Sequence, residues 1–366
     1  MKYIDEFRDP ALAQRIVTQI HTTAARCTAE RPIRLMEFCG GHTHAISRFG
    51  LRELLAPVVE SRSGPGCPVC VTASTDLDRA IAMADVPRVM LTTFGDMVRV
   101  PGSHRQTLQA AAARGADVRI VYSPLDALDI ARQHPKQEVV FLGVGFETTA
   151  PGIAAALLQA EADSVANFSV LSLHKLTPPA MRAILDAGET TLDGIIGPGH
   201  VSAIVGSEAW AFLPREYAMP CAVSGFEPLD ILSAIDALVQ AVVAGAPAVI
   251  NTYARGVRPE GNPIAQQLLD QVFEVGPADW RGFGVIPASG LVLRETFAHR
   301  DAARRFPIDV TPAPEPPGCR CGDVLRGLIA PSECALFRQV CSPRNPIGPC
   351  MVSAEGACAA YFQYET

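Results

Sequence analysis

The sequence is short of aromatic residues and of charge. Of its 366 residues, 6% are aromatic and 19% are charged, against a hydrophobic share of 48%. That balance excludes a disordered chain and marks a well-buried globular one. Basic excess is missing too. The formal net charge is −7, and no basic patch with interleaved aromatics offsets it. A general nucleic-acid binder, which needs a positive surface against phosphate, is thereby excluded. No apolar run is long enough to cross a bilayer, and Met1-Lys2-Tyr3-Ile4-Asp5-Glu6-Phe7 has no apolar signal core. These absences predict no membrane partner and a cytoplasmic location. Neither G-x-G-x-x-G nor a P-loop ending in G-K-[ST] occurs, so ATPase activity has no P-loop to rest on.

What is plentiful is cysteine, with eleven residues. In a reducing cytoplasm such numbers point to metal binding or redox chemistry before a disulfide framework. Cys27, Cys39, Cys67, Cys70 and Cys221 are spread over the body. Cys319, Cys321, Cys334, Cys341, Cys350 and Cys358 crowd into the end of the chain. Cys27 and Cys221 lie in a helical and a strand-like run, as core thiols do.

The length suits two or three domains. Apolar β-like runs at Ile33–Phe38, Val58–Ser61, Val86–Thr92, Val118–Tyr122 and Val139–Gly143 alternate with helical ones, after a leading helix within residues 1–30. The alternation resumes with strands at Phe168–Leu173, Gly194–Ile196 and Ala218–Ser224. Strands separated by helices predict parallel sheets covered on both faces. Three pairs of turns recur at nearly constant separation: Cys39 with His174, Gly64-Pro65-Gly66-Cys67 with Gly197-Pro198-Gly199-His200, and Phe94-Gly95-Asp96 with Phe226-Glu227. They predict a duplication, with a cleft that brings the cysteines of one copy towards His200 of the other. Pro307, Pro312, Pro314, Pro316 and Pro317 make a stiff linker. The expected division is therefore a first α/β domain over 1–162, a second, related Rossmann-like α/β domain over 163–306, and a small cysteine-rich domain over 307–366.

Three stretches carry chemistry. In Glu37-Phe38-Cys39-Gly40-Gly41-His42-Thr43-His44, a thiol and two imidazoles sit where a strand turns into a helix. In open α/β sheets that carboxyl-end crevice is where ligands bind, and a soft or borderline metal suits such donors. Cys67-Pro68-Val69-Cys70 is a C-x-x-C at a helix start, where the dipole lowers a thiol pKa, and it suits a reversible disulfide. It is also half of a zinc site, but no second C-x-x-C completes one. Gly143-Val144-Gly145-Phe146-Glu147-Thr148-Thr149 closes a strand and opens a helix. Its glycines and hydroxyls suit an anion, or Thr148 or Thr149 caps the helix, and Glu147 is an acid/base or a histidine's partner. In the tail, six cysteines exceed by two what one [4Fe–4S] cluster needs. Their spacings fit no standard zinc knuckle. A metal centre would hold together a tail too short for a large core.

Together these stretches resemble the HypD family of hydrogenase maturation proteins. The resemblance rests on Cys39-Gly40-Gly41-His42-Thr43-His44, Gly64-Pro65-Gly66-Cys67-Pro68-Val69-Cys70, Gly145-Phe146-Glu147-Thr148-Thr149, Pro198-Gly199-His200-Val201-Ser202, and Pro346-Ile347-Gly348-Pro349-Cys350-Met351-Val352-Ser353-Ala354-Glu355-Gly356-Ala357-Cys358. One departure is Ala73, where the family pattern has proline. The resemblance implies a cytoplasmic scaffold for the Fe(CN)2CO unit of [NiFe]-hydrogenases. Its partners are a small HypC-type chaperone, which shares the iron, and HypE with HypF, which deliver cyanide. It implies that Cys39 is the ligand to iron(II) carrying cyanide and carbon monoxide. His42 and His44 then handle protons or hydrogen-bond cyanide, with Glu147, Thr148, Thr149 and His200 completing the family's site. Cys67 and Cys70 become a dithiol. The tail is similar to ferredoxin:thioredoxin reductase. That likeness assigns Cys319, Cys334, Cys341 and Cys358 to a [4Fe–4S] cluster, and Cys321 with Cys350 to a disulfide. The rival readings are a stand-alone iron–sulfur thiol–disulfide oxidoreductase and a zinc-stabilised binding module.

Overall fold

The computed structural model describes residues 4–27, 31–311 and 313–365. Proline marks where many of its helices begin. Pro10, Pro68, Pro124, Pro151, Pro178, Pro228 and Pro263 each take the first or second helical position, where the missing N–H leaves no bond unmade. The expected leading helix is Pro10–Ala24, capped by Asp9; residues 1–3 and 28–30 of that expectation lie outside the described residues.

The strands are β1 (Ile33–Glu37), β2 (Val59–Ser63), β3 (Val89–Thr93), β4 (Asp117–Ile120), β5 (Glu138–Gly143), β6 (Phe168–Ser172), β7 (Gly194–Pro198), β8 (Cys221–Ser224), β9 (Val249–Asn251), β10 (Phe273–Trp280) and β11 (Gly284–Leu293). A five-stranded sheet has the order β2-β1-β7-β8-β9 and a four-stranded sheet the order β4-β3-β5-β6. Every pairing in both is parallel. Inner strands such as β3 and β7 are buried at every residue, the pattern of strands covered on both faces. β10 and β11 form a separate antiparallel hairpin. From the sequence only Gly282–Pro287 reads as a strand here, because Gly276, Pro277, Gly284 and Pro287 interrupt the pattern.

The α/β class and the paired parallel sheets are as expected, but a boundary at 162/163 does not follow the sheets. It falls between β5 and β6, which are hydrogen-bonded neighbours. The first sheet takes its strands from residues 33–63 and 194–251, and the second from 89–172. The chain leaves the first sheet, builds the second whole, and returns. The two sheets do share a strand order, with β2-β1-β7-β8 matching β4-β3-β5-β6. That equivalence differs from the one the turns predict. Cys39 and His174 end strands of different sheets, whereas Cys67 and His200 follow strands of the same sheet. Glycine–proline turns recur wherever a backbone must pass close to its neighbour, so they do not report copy number.

Residues 307–318 contain no helix or strand among the described residues, as a proline run requires. The tail beyond it docks on the first sheet. Cys321, Leu325, Cys350 and Val352 share one buried cluster with Met36, Phe38, Val69 and Cys70. Helix Ala357–Tyr364 is tied to helix Gly40–Arg48 and its neighbour through Glu365, which accepts from Ser47 Oγ at 2.7 Å and Arg52 Nε at 3.0 Å. The Arg52 guanidinium also lies 4.5 Å over the Tyr361 ring.

Candidate functional site

The crevice at the carboxyl ends of β1, β2, β7 and β8 gathers the thiols. Cys39 leaves β1 as the N-cap of helix Gly40–Arg48, where the backbone N–H groups of Gly41 and His42 favour its thiolate; the His42 N–H itself donates to Cys39 O at 2.9 Å. Burial first, and then the negative charge of Glu355, pushes its thiol up to about 12. A metal that takes Cys39 must therefore displace a proton. Cys67 leaves β2 as the N-cap of the single turn Pro68–Val71, which holds Cys70. The two turns lock together by backbone contact. Gly40 N–H donates to Gly66 O at 3.0 Å and Gly64 N–H to Glu37 O at 2.9 Å.

A helix of one turn has little dipole, and the expected lowering at the helix start does not occur. Burial pushes Cys67 well up. Cys70 is the low one: burial opposes its ionisation, but hydrogen bonds from Cys350 and Cys67 and the charge of Arg281 outweigh it.

The thiols continue into the tail. Cys70 contacts Cys350, which also contacts Cys358, and Cys350 Sγ stands 2.7 Å from Cys321 Sγ. All six tail cysteines line one hollow with Leu336, Phe337 and Gly348. Soft thiol donors around a small apolar hollow fit a [4Fe–4S] cluster.

His42 is fully buried. Its Nε2 donates to Gly225 O at 3.0 Å and Ser224 O at 3.2 Å, and burial holds it down to about 4, so it is neutral. Its Nδ1 has no partner among the described residues. His42 and His200 stack on opposite sides of Phe226, with ring centroids 4.7 and 3.9 Å away. His200 thus reaches the site within one sheet, across β7 and β8, and not across an interdomain cleft. His44 faces the tail. Its Nδ1 donates to Ala354 O at 3.2 Å, and its ring meets Tyr364 edge-on at 5.1 Å. Among the described residues, no three His, Cys, Asp or Glu side chains converge on one ion.

Glu147, Thr148 and Thr149 follow β5 in the other sheet. Both Glu147 oxygens are taken by Thr177, whose N–H and hydroxyl donate at 2.8 and 2.9 Å, so Glu147 caps helix Thr177–Ala187. Burial raises it to about 7. Thr149 Oγ1 donates to Phe146 O at 3.4 Å. No hydrogen bond or ring contact among the described residues joins these three to Cys39. They reach the C-x-x-C turn indirectly, through Phe146 stacked at 6.0 Å on Trp280, which bridges to Thr72.

Two residues escaped sequence reasoning. Glu355 lies against the Cys39 turn so closely that a β-carbon on Gly40 would stand 2.5 Å from its Cβ. The signal was its place between Cys350 and Cys358 in the tail motif. Glu37 is the other. Its carboxylate accepts Cys39 N–H at 3.2 Å and the Thr43 hydroxyl, and burial raises it to about 8. An alternating strand gives no warning of an inward-facing glutamate.

Glu37 yields a pH prediction. Its folded value lies above its ordinary one of 4.5, so the folded protein keeps a proton that the unfolded chain releases. Its contribution to stability is complete below about 4.5, falls as pH rises towards about 8, and then levels off. The slope is at most about 1.4 kcal/mol per pH unit. Glu37→Gln removes this titration and loses one acceptor, at about 1 kcal/mol. Urea unfolding across that window should show the variant less stable at the acid end and gaining on the parent towards the alkaline end. A constant difference would sink the assignment. Glu147 titrates in an overlapping range in both proteins and cancels.

Parallel α/β sheets with a carboxyl-end crevice lined by thiols, closed by a cysteine-rich tail, define an α/β protein built around a cysteine-lined crevice. The family model HypD, described as "Hydrogenase formation hypA family", matches residues 11–365. The hydrogenase maturation factor HypD of Cupriavidus necator is 47% identical over 371 residues, covering 100% of this chain and 97% of the relative. That of Azotobacter vinelandii is 48% identical over 370 residues, at 100% and 97% coverage. That of Escherichia coli strain K12 is 45% identical over 371 residues, at 100% and 98%. The chain belongs to the HypD family.

Proposed function

We propose that this protein is a hydrogenase maturation factor on which the Fe(CN)2CO unit of a [NiFe]-hydrogenase is assembled. Iron is the cargo and Cys39 its ligand on this chain. The observation that carries the reading is the setting of Cys39: a soft thiol at the crevice and at the start of helix Gly40–Arg48, whose Gly41 and His42 N–H groups favour its thiolate, with the Cys67–Cys70 turn locked against its backbone. Those N–H groups stabilise the thiolate once the metal has displaced the proton. A HypC-type chaperone supplies the second protein ligand, and HypE with HypF supply cyanide. His42 and His200, both held neutral by burial, offer ring nitrogens beside the cargo without adding charge. His44 positions the tail.

In the tail, Cys319, Cys334, Cys341 and Cys358 would hold a [4Fe–4S] cluster, with Cys321 and Cys350 as the redox pair. The close approach of these two sulfurs supports that partition. A bound cluster supplies electrons one at a time. Cys350 touches both Cys70 and the cluster ligand Cys358, which gives electrons a route of thiols towards the crevice.

Infrared spectroscopy of the anaerobically isolated complex with the HypC-type partner tests the reading. Bands of metal-bound cyanide and carbon monoxide are expected; a complex that matures hydrogenase without them would overturn it. The same thiol route favours a second reading, a stand-alone thiol–disulfide oxidoreductase. It would turn over a protein disulfide with no cyanide-bearing iron present.

The cluster has its own test. Anaerobic analysis of the purified chain should find about four iron and four sulfide per molecule, and Cys341→Ser should lose most of both. Zinc without sulfide would establish the zinc-stabilised alternative.

A further inference from the structure

Phe226 lies between β8 and helix Pro228–Ala244. It belongs to none of the buried apolar clusters and is half-buried, so core packing does not account for it. Two glycines make room for its ring. Gly41 and Gly199 stand at the starts of helices Gly40–Arg48 and Gly199–Val205. A β-carbon on Gly41 would lie 3.0 Å from Cδ1 and Cε1 of Phe226, and 3.8 Å from Cys39 Sγ. One on Gly199 would lie 3.2 Å from Cε2 of Phe226 and 2.2 Å from Ser224 O. The ring thus fills the gap between the turn after β1 and the turn after β7, and one absent methyl separates it from the Cys39 sulfur. It is also braced. Tyr253 meets it edge-on at 6.3 Å, and the Arg255 guanidinium lies 4.6 Å over Tyr253. Arg255 donates to both oxygens of the buried Asp230, at 2.7 and 2.6 Å. Asp230 accepts the Glu227 N–H at 3.2 Å, which fixes the backbone beside the ring.

The two faces of the ring carry the two histidines, which depend on it unequally. His42, with its centroid at 4.7 Å, is fixed independently by its Nε2 bonds to Ser224 and Gly225. His200, at 3.9 Å and within 24° of parallel, is partly open to solvent. Among the described residues no hydrogen bond holds its ring, and its ring contact is with Phe226 alone. A side chain in that position visits several rotamers unless packing selects one, and stacking on an aromatic face selects an orientation.

We infer that Phe226 is a positioning residue of the cargo site, whose ring holds the His200 imidazole in one orientation beside Cys39. It acts on the cargo through His200. The inference rests on the reading above, in which Cys39 holds iron with its cyanide and carbon monoxide and His200 stands beside it. A hydrogen bond weakens steeply as donor and acceptor leave the line between them. An imidazole N–H fixed in direction can therefore donate to a cyanide nitrogen, and one on a freely rotating ring loses most of that bond.

Infrared spectra of the anaerobic complex with the HypC-type partner test it. His200→Ala should shift the cyanide bands. Phe226→Leu, which keeps apolar bulk and removes the ring face, should give the same shift. The double variant should show that shift once and not twice, because a residue that acts through another adds nothing in its absence. Phe226→Tyr, which keeps the face, should keep the bands of the parent. A structural role alone predicts lost stability or lost cargo, not a shift shared with His200→Ala. Cyanide bands unmoved by either single variant, shifts that sum in the double variant, or a tyrosine variant that behaves like leucine each overturns the inference. So does loss of the bands in one of His200→Ala and Phe226→Leu and not the other. Should Phe226→Leu fail to fold, NMR of the histidine-labelled parent decides. Stacked over an aromatic face, the His200 ring protons should resonate upfield of their position in the unfolded chain, and resonances at the unfolded position overturn the inference. A parent complex that carries no cyanide bands overturns the cargo reading itself, and this inference with it.

Discussion

Cys39→Ala, isolated anaerobically with its HypC-type partner, is expected to carry no infrared bands of metal-bound cyanide or carbon monoxide, and to mature no hydrogenase. The effect should be complete, because nothing nearby can substitute. Cys67 and Cys70 are held in their own turn, and His42, fixed through Nε2 by the carbonyls of Ser224 and Gly225, has only a neutral Nδ1 to offer, a poorer ligand than thiolate for iron that carries cyanide and carbon monoxide. Cys39→Ser should fail too: low-spin iron with cyanide and carbon monoxide takes a soft thiolate in preference to a hydroxyl. Folding should survive. Removing one sulfur from the buried Cys39 leaves a small cavity, worth about 1 kcal/mol. The iron and sulfide of the tail should be unchanged, which separates loss of cargo from loss of cluster. Cys221→Ala is the matched control. Cys221 is a fully buried thiol in β8 whose shift has burial as its sole cause, and its removal should leave the bands in place. If Cys39→Ala keeps them, the iron ligand on this chain lies elsewhere.

What was legible in the sequence, and what was not, divides along physical lines. Strands announced themselves by apolar runs, and the chemistry by cysteines and glycine turns, because both are local. The order of strands in the sheets is not local. Nothing between β2 and β3 says that the chain is leaving one sheet for another, or that β7 will return to lie beside β1. His200 lies beside Cys39 within one sheet and not across a cleft between copies: its strand pairs directly with that of Cys39. The hairpin was half missed because glycine and proline break its alternation, yet its tip carries Arg281. Nothing local in the sequence foretells that Glu147, beside glycines and threonines, accepts from Thr177 thirty residues on, at the start of another helix. Glu355 stood in a motif already singled out, but only the docking of the tail brings it to Cys39.

Gly66→Ala should do nearly as much damage as losing Cys39, without touching a ligand. A β-carbon at Gly66 would stand 2.3 Å from Cys39 N and 2.5 Å from its Cα. These are backbone atoms in a turn held by the Gly40–Gly66 and Gly64–Glu37 hydrogen bonds, so no side chain can swing aside. Either the two turns part, breaking those bonds, or the methyl remains overpacked; the cost is about 3 kcal/mol. Gly50→Ala measures what backbone conformation alone contributes. Gly50 sits at φ +63, with nothing within 4 Å of the added carbon, so that change should cost about 1 kcal/mol. Denaturant titration of the two variants therefore separates steric approach from backbone freedom. The functional readout is sharper. With the turns apart, the backbone of Cys39 loses the C-x-x-C turn that holds it in place, so the cyanide and carbon monoxide bands should be lost while every cysteine remains. A Gly66→Ala protein as stable as the parent and still carrying its cargo would mean that Cys39 does not depend on the C-x-x-C turn for its position.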